Sequence, residues 1–178
     1  VRVVQDPSQV RDADFLVFAT KTYDLQPALD SMRHVFPEYV VALQNGIQKD
    51  EQTAAIFGDG RTLGGVAEFG GEIMPDGTVS WTIYERLAIG LMPGGTSDAV
   101  DALGESLNRA GFRTEVSPRI RTIEWSKFVV FAGLMPAAVL SRLPTFQILK
   151  DADLARICLA LFRESAQIAA CLGIDLED

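Results

Sequence analysis

Residues 12–24 read DADFLVFATKTYD, and their interpretation decides the fold. Two carboxylates precede FLVFA, an unbroken apolar run, and Lys21 follows shortly after it. A run this short is too brief for a buried helix, and it predicts a strand covered on both faces. The same texture returns in YVVALQ, residues 39–44, which stops at the turn dipeptide Asn45-Gly46. Between the two runs, residues 24–36 predict a helix with Asp24 as N-cap and Pro27 in the first turn. Residues 48–57 predict a second helix, closed by Gly58. Strand, helix, strand, helix implies parallel strands with right-handed crossovers, hence a Rossmann-like doubly wound sheet. Upstream, VRVV reads as one more short strand.

Downstream the texture changes. RTLGGVAEFGG, GTVSWTIYE and RLAIGLM read as three strands, separated by a PDG turn and a tight junction at Glu85-Arg86. They predict an antiparallel extension of the sheet. The glycines of GDGRTLGG precede a strand and open no helix, so a glycine-rich turn is expected there, not a phosphate cradle. Residues 97–110 predict an amphipathic helix closed by Gly111, and FRTEV one more strand. From Ser117 onward the pattern is helical. Ser117 suits an N-cap and Pro118 a first helical position, with the helix running to about residue 143, kinked near Pro136. A last helix spans 151–173. The expected organisation is therefore an α/β unit over 1–116 and an all-helical unit over 117–178. The opening without Met, directly in a β-branched segment, suggests an interior piece of a longer protein.

Composition narrows the function classes. The chain has 178 residues, 48% hydrophobic, with a formal net charge of −8. Nucleic-acid phosphates demand a basic face, which this balance does not provide. The uncharged run Phe128–Leu140 is short for a bilayer and is interrupted by Pro136, so it reads as a core helix and no membrane partner is expected. Cys158 and Cys171 fall on nearly opposite faces of one helix and read as free thiols in a reducing cytoplasm. His34, the single histidine, sits in a polar patch, and without clustered cysteines no transition-metal site is expected.

Three places could carry chemistry. Lys127 heads the apolar run, and on a helix it shares a face with Glu124, Phe131, Leu134 and Met135. A partly desolvated ammonium on such a floor can donate a proton to a developing alkoxide. The alternative is a snorkelling lysine that tops a core helix and pairs with Glu124. Asn45 and Lys21 both follow buried strands, and ligands of doubly wound sheets gather beyond the carboxyl ends of strands. Asn45 offers a donor and an acceptor, and Lys21 a cation for a phosphate. An ordinary Asn-Gly turn and a solvated lysine remain open for these two positions. Ser126 cannot form a dyad with Lys127, because adjacent helical residues diverge by about 100°.

DADFLVFATKTYDL, VVALQNGI and IEWSKFVVFAGLMPAAVLSRL, taken in this order and at this separation, resemble successive landmarks of the ketopantoate reductase (2-dehydropantoate 2-reductase) family, whose members serve pantothenate biosynthesis. The intervening EFGG, PDGTV and LAIG resemble the β-rich lead-in to that family's helical domain. The resemblance implies that residues 1–116 are part of a dinucleotide-binding domain lacking its N-terminal βαβ, and that 117–178 begin a helical substrate and dimerisation domain. It implies Lys127 as general acid toward the keto oxygen of a 2-keto acid, with NADPH delivering hydride. Asn45, with Gly46 beside it, falls at the nicotinamide-ribose end of the cofactor, and Lys21 at the adenosine portion. The family presents asparagines four and eight residues after the lysine, where this chain has Phe131 and Met135. That departure implies a substrate less polar than ketopantoate. A cytoplasmic homodimer is the implied setting, and the segment alone is expected to bind NADPH poorly and to be inactive. A non-catalytic dimerisation module of a degenerate family member is the alternative.

Overall fold

The computed structural model describes residues 2–177, and all side chains in that span but those of Tyr84 and Glu85. Strands β1 (Phe15–Phe18), β2 (Tyr39–Ala42), β3 (Thr62–Ile73), β4 (Val79–Leu91) and β5 (Thr114–Val116) form one mixed sheet in that order. The first three run parallel, β4 is antiparallel to β3, and β5 is parallel to β4. Helices α1 (Leu25–Ser31) and α2 (Lys49–Phe57) make the first two crossovers, and α3 (Asp98–Arg109) links β4 to β5. Helices α4 (Ile120–Ser141), α5 (Thr145–Ile148) and α6 (Ala152–Cys171) follow. The expected α/β sheet with an antiparallel extension and a helical continuation is thus observed.

The period of two along β2 explains how both faces are covered. Val40 and Ala42 join Phe18, Leu25 and Leu29 in a core beneath α1 and α2. Val41 turns the other way, into a core with Leu63, Leu87, Ile89 and Val100 of α3. Ser97 caps α3 by accepting the Val100 N–H at 3.3 Å.

Several sequence expectations need correction. Residues 2–4 form no strand, and Val1 lies outside the described residues. β1 is not buried on both faces: it is an edge strand, and Val17 is 53% exposed. The helix expected over 24–36 is only α1, and Asp24 occupies its N-cap without a side-chain capping bond. Two long strands replace the three expected runs. The irregularity read at Glu85-Arg86 is a register shift between Ala67/Phe69 and their β4 partners, not a chain reversal. The glycine-rich turn extends only over 58–61, because Gly64 and Gly65 lie inside β3. Helix α4 starts at Ile120, since Pro118 and Arg119 form a turn in which Ser117 Oγ accepts the Arg119 N–H at 3.2 Å. α5 was not anticipated.

The chain divides into two compact units, Val1–Arg121 and Thr122–Asp178. The first extends beyond the expected limit at 116 because Ile120, fully buried, packs against the glycines of the sheet. In the second unit, Ala137, Ile148 and Cys158 form the core, with Leu134, Leu154 and Phe162 against it. Gly133 permits this contact, since a side chain there would overlap the Phe162 ring. By length and composition alone, the whole of α4 is long and apolar enough to cross a membrane, which the uncharged run 128–140 by itself is not. Asp151 caps α6 through the N–H groups of Asp153 and Leu154, both at 3.0 Å.

Candidate functional site

In the first unit, the carboxyl ends of β1 and β2 form a laced rim. Leu43 N–H donates to the Phe18 carbonyl at 3.0 Å, continuing the parallel ladder by one bond. The next side chain folds back beneath it. Gln44, 7% exposed, donates through Nε2 to the same Phe18 carbonyl at 3.3 Å and to Thr20 Oγ1 at 3.1 Å. Thr22 Oγ1 then donates to the Asn45 carbonyl at 3.4 Å. Gly46 follows with φ +107°, a left-handed turn conformation that glycine adopts without strain. The result brings Lys21, Asn45 and Gly46 to one rim, all three exposed.

Gln44 was missed by sequence reasoning, although a signal was present. It follows Val40 and Ala42 at period two, so the pattern assigns it to the buried face. A polar residue in that slot needs partners, and it has two. Also missed was the pair at the start of α2. Lys49 Nζ lies 2.7 Å from Asp50 Oδ1, and both side chains are buried. The sequence IQKDEQ reads as a solvated helix start, and adjacent residues are not normally expected to pair.

In the second unit, α4 presents Lys127, Phe131 and Met135 along one face. Lys127 is half-buried, and its Nζ stands 5.3 Å from the centroid of the Phe131 ring, a cation–π arrangement. Phe131 and Met135 are 38% and 40% exposed. Glu124, one turn earlier, is buried. Ser126 is fully engaged elsewhere: its Oγ donates to the Thr122 carbonyl and accepts the Glu177 N–H, each at 2.8 Å. His34 is exposed, with Nε2 3.0 Å from the Val10 carbonyl. Among the described residues no group of metal-ligating side chains gathers.

An open cavity of about 530 Å³ in the first unit is lined by Asp14, Phe36, Glu38, Tyr39 and Arg61, among others. It lies at the amino-terminal ends of β1 and β2, away from the laced rim. For a parallel sheet the rim is the better candidate, because loops and polar groups converge beyond the carboxyl ends.

Parallel strands with crossover helices and a polar rim at their carboxyl ends place the chain in the class of doubly wound α/β folds. Comparison with known proteins is specific. Residues 1–94 match the family model described as ketopantoate reductase PanE/ApbA, and residues 119–178 match its C-terminal companion. A 2-dehydropantoate 2-reductase of Pyrococcus horikoshii is 30% identical over 165 residues, 92% of this chain and 54% of the relative. The crystal structure of 2-dehydropantoate 2-reductase from Methylococcus capsulatus superposes with TM-score 0.84 at 27% identity, covering 98% of this chain and 57% of that one. D-mandelate dehydrogenase, solved with NADH and anilino(oxo)acetate, shares the fold at TM-score 0.85 and 18% identity, over 96% of this chain and 56% of that one. The chain belongs to the ketopantoate reductase family. It spans about half the length of the curated relatives it matches.

Proposed function

We propose that the protein containing this chain reduces a 2-keto acid to the 2-hydroxy acid with NADPH, and that Lys127 is the general acid. Family membership supports the reaction class, and one observation carries the assignment of the residue. Lys127 is a half-buried residue at the head of an apolar helix face, with its Nζ over an aromatic ring. An ammonium so placed, beside an aromatic face and on an apolar floor, suits donation of a proton to a developing alkoxide.

The rim of the first unit fits a nicotinamide dinucleotide by its donor set. Lys21 offers a cation to phosphate, and Asn45 a donor and an acceptor to ribose. Gly46 leaves its backbone open, with nothing within 4 Å of where a Cβ would stand. The cofactor, when bound, supplies the hydride. The protein's part is then to polarise the carbonyl and hold the acid in place. Lys127 hydrogen-bonds the keto oxygen, and that bond strengthens as the oxygen gains negative charge and takes the proton.

Phe131 and Met135 have no hydrogen-bonding group for a hydroxylated substrate tail, so the proposed substrate is a 2-keto acid less polar than ketopantoate. That a protein of this fold was solved with anilino(oxo)acetate is in keeping with such a choice. A homodimer in the cytoplasm is the proposed setting, and a dimeric ketopantoate reductase of Staphylococcus aureus shares the fold. The test is NADPH oxidation by the full-length protein over a panel of 2-keto acids. Lys127→Ala is expected to lower kcat by about 10²–10⁴-fold with circular dichroism unchanged. A loss under about tenfold removes Lys127 from the acid role.

A further inference from the structure

The rim holds an amide whose arrangement is more elaborate than a turn requires. Gln44 Nε2 points at the Phe18 carbonyl, which can only accept, so the amide cannot be flipped without setting two oxygens against each other. This orientation commits the second Nε2 proton to Thr20 Oγ1. It also leaves Gln44 Oε1 buried and without a hydrogen-bond partner among the described residues. An orphaned buried acceptor is destabilising, and an apolar side chain of similar length would avoid it.

The consequence falls on Thr20. Its hydroxyl oxygen is already accepting from Gln44, so its own proton is turned away from the amide, and the residue is exposed at the rim beside Lys21. A donor turned away from the amide and next to a lysine suits an anionic or ribose oxygen. We infer that Thr20 donates a hydrogen bond to the nicotinamide cofactor, and that Gln44 is the positioning residue that aims its hydroxyl. Gln44 touches no ligand in this scheme. It also ties the Lys21 loop to the turn bearing Asn45, because the Phe18 carbonyl accepts from both Leu43 and Gln44. The inference rests on the reductase reading above in taking the ligand to be its nicotinamide cofactor.

The experiment is NADPH binding to the full-length protein by titration calorimetry, with no keto acid present. Thr20→Val, isosteric without the hydroxyl, is expected to weaken Kd about tenfold, the effect of one lost oriented hydrogen bond. Thr20→Ser is expected to restore it. Gln44→Met is expected to weaken Kd by a similar factor, and the double variant by no more than either alone, because one residue acts through the other. Binding by Thr20→Val within twofold of the parent overturns the inference. So does a double variant whose losses multiply to about a hundredfold, which would mean two independent contributions. If Gln44→Met does not fold, Thr20→Val against Thr20→Ser decides alone. A parent protein that binds no NADPH overturns the cofactor reading and this inference together, whereas normal parent binding with a silent Thr20→Val overturns only the inference.

Discussion

Gly90→Ala probes the joint between the sheet and the first turn of α4. Gly90 of β4 pairs directly with Gly64 of β3, and both face Ile120, which is fully buried. A Cβ on Gly90 would overlap the Ser117 carbonyl oxygen and come within 2.9 Å of Ile120 Cβ. Side chains can rotate away from an intruding methyl, but a backbone carbonyl can move only with its segment. Overpacking typically costs about 1–3 kcal/mol, and a backbone clash belongs at the upper end. Reduced freedom of the unfolded chain offsets about 0.5–1 kcal/mol of this. The net expectation is a loss of about 2 kcal/mol, or roughly 4–8 °C in Tm for a chain of this size. Gly60→Ala is the control, since nothing lies within 4 Å of its Cβ position and its φ is not positive. It should melt at or slightly above the parent temperature. The assay is thermal unfolding by far-ultraviolet circular dichroism. If Gly90→Ala melts within about 1 °C of Gly60→Ala, the account of this joint is wrong.

Two further outcomes follow from the same reasoning. Replacing Phe131 and Met135 together by Asn should shift kcat/KM of the full-length protein toward a hydroxylated 2-keto acid by about tenfold or more, since each amide supplies a bond the apolar pair cannot. An unchanged preference would show that this face of α4 does not meet the substrate tail. At the β3–β4 hairpin, Asp76 accepts the Thr78 N–H at 2.9 Å, and this backbone bond, with the Thr78 side chain, holds its carboxyl below the ordinary value of 3.8. A depressed folded pKa means that the carboxylate's contribution is complete at neutral pH and is lost as pH falls through the folded value. The Thr78 amide resonance, followed by NMR against pH, should therefore titrate with a midpoint below 3.8. A midpoint at or above that value contradicts the turn geometry.

Much of the fold was legible because local pattern and tertiary role agree. Val40, Val41 and Ala42 are apolar on successive positions and are buried on opposite faces, as a central strand requires. Gly58 and Ser97 were read as helix ends and are helix ends. The failures share a cause. Val17 has the same texture as Val41, its partner in the ladder, yet Val17 is exposed and Val41 buried. Gly64 and Gly90 carry no local mark of their function. Their smallness is dictated by Ile120 and, at Gly90, by the Ser117 carbonyl, both far away in sequence.

The candidate site divides along the same line. The placement of Lys21, Asn45 and Gly46 at one rim was readable because each follows a recognisable strand. Gln44 sits in the same segment, but its surroundings are set by Phe18 and Thr20, at the end of the neighbouring strand. The buried Lys49–Asp50 pair is a stronger case. Breaking one partner of such a pair would leave an uncompensated charge, whereas leaving both in water would cost little. No local rule predicts that a lysine and an aspartate at a helix start will be drawn inside. That follows only from the packing of α2 against β2 and β3, the first of which carries part of the rim at its carboxyl end. Positions at the rim are thus visible in the sequence, and residues that hold the rim in shape by pairing become visible only when the chain is folded.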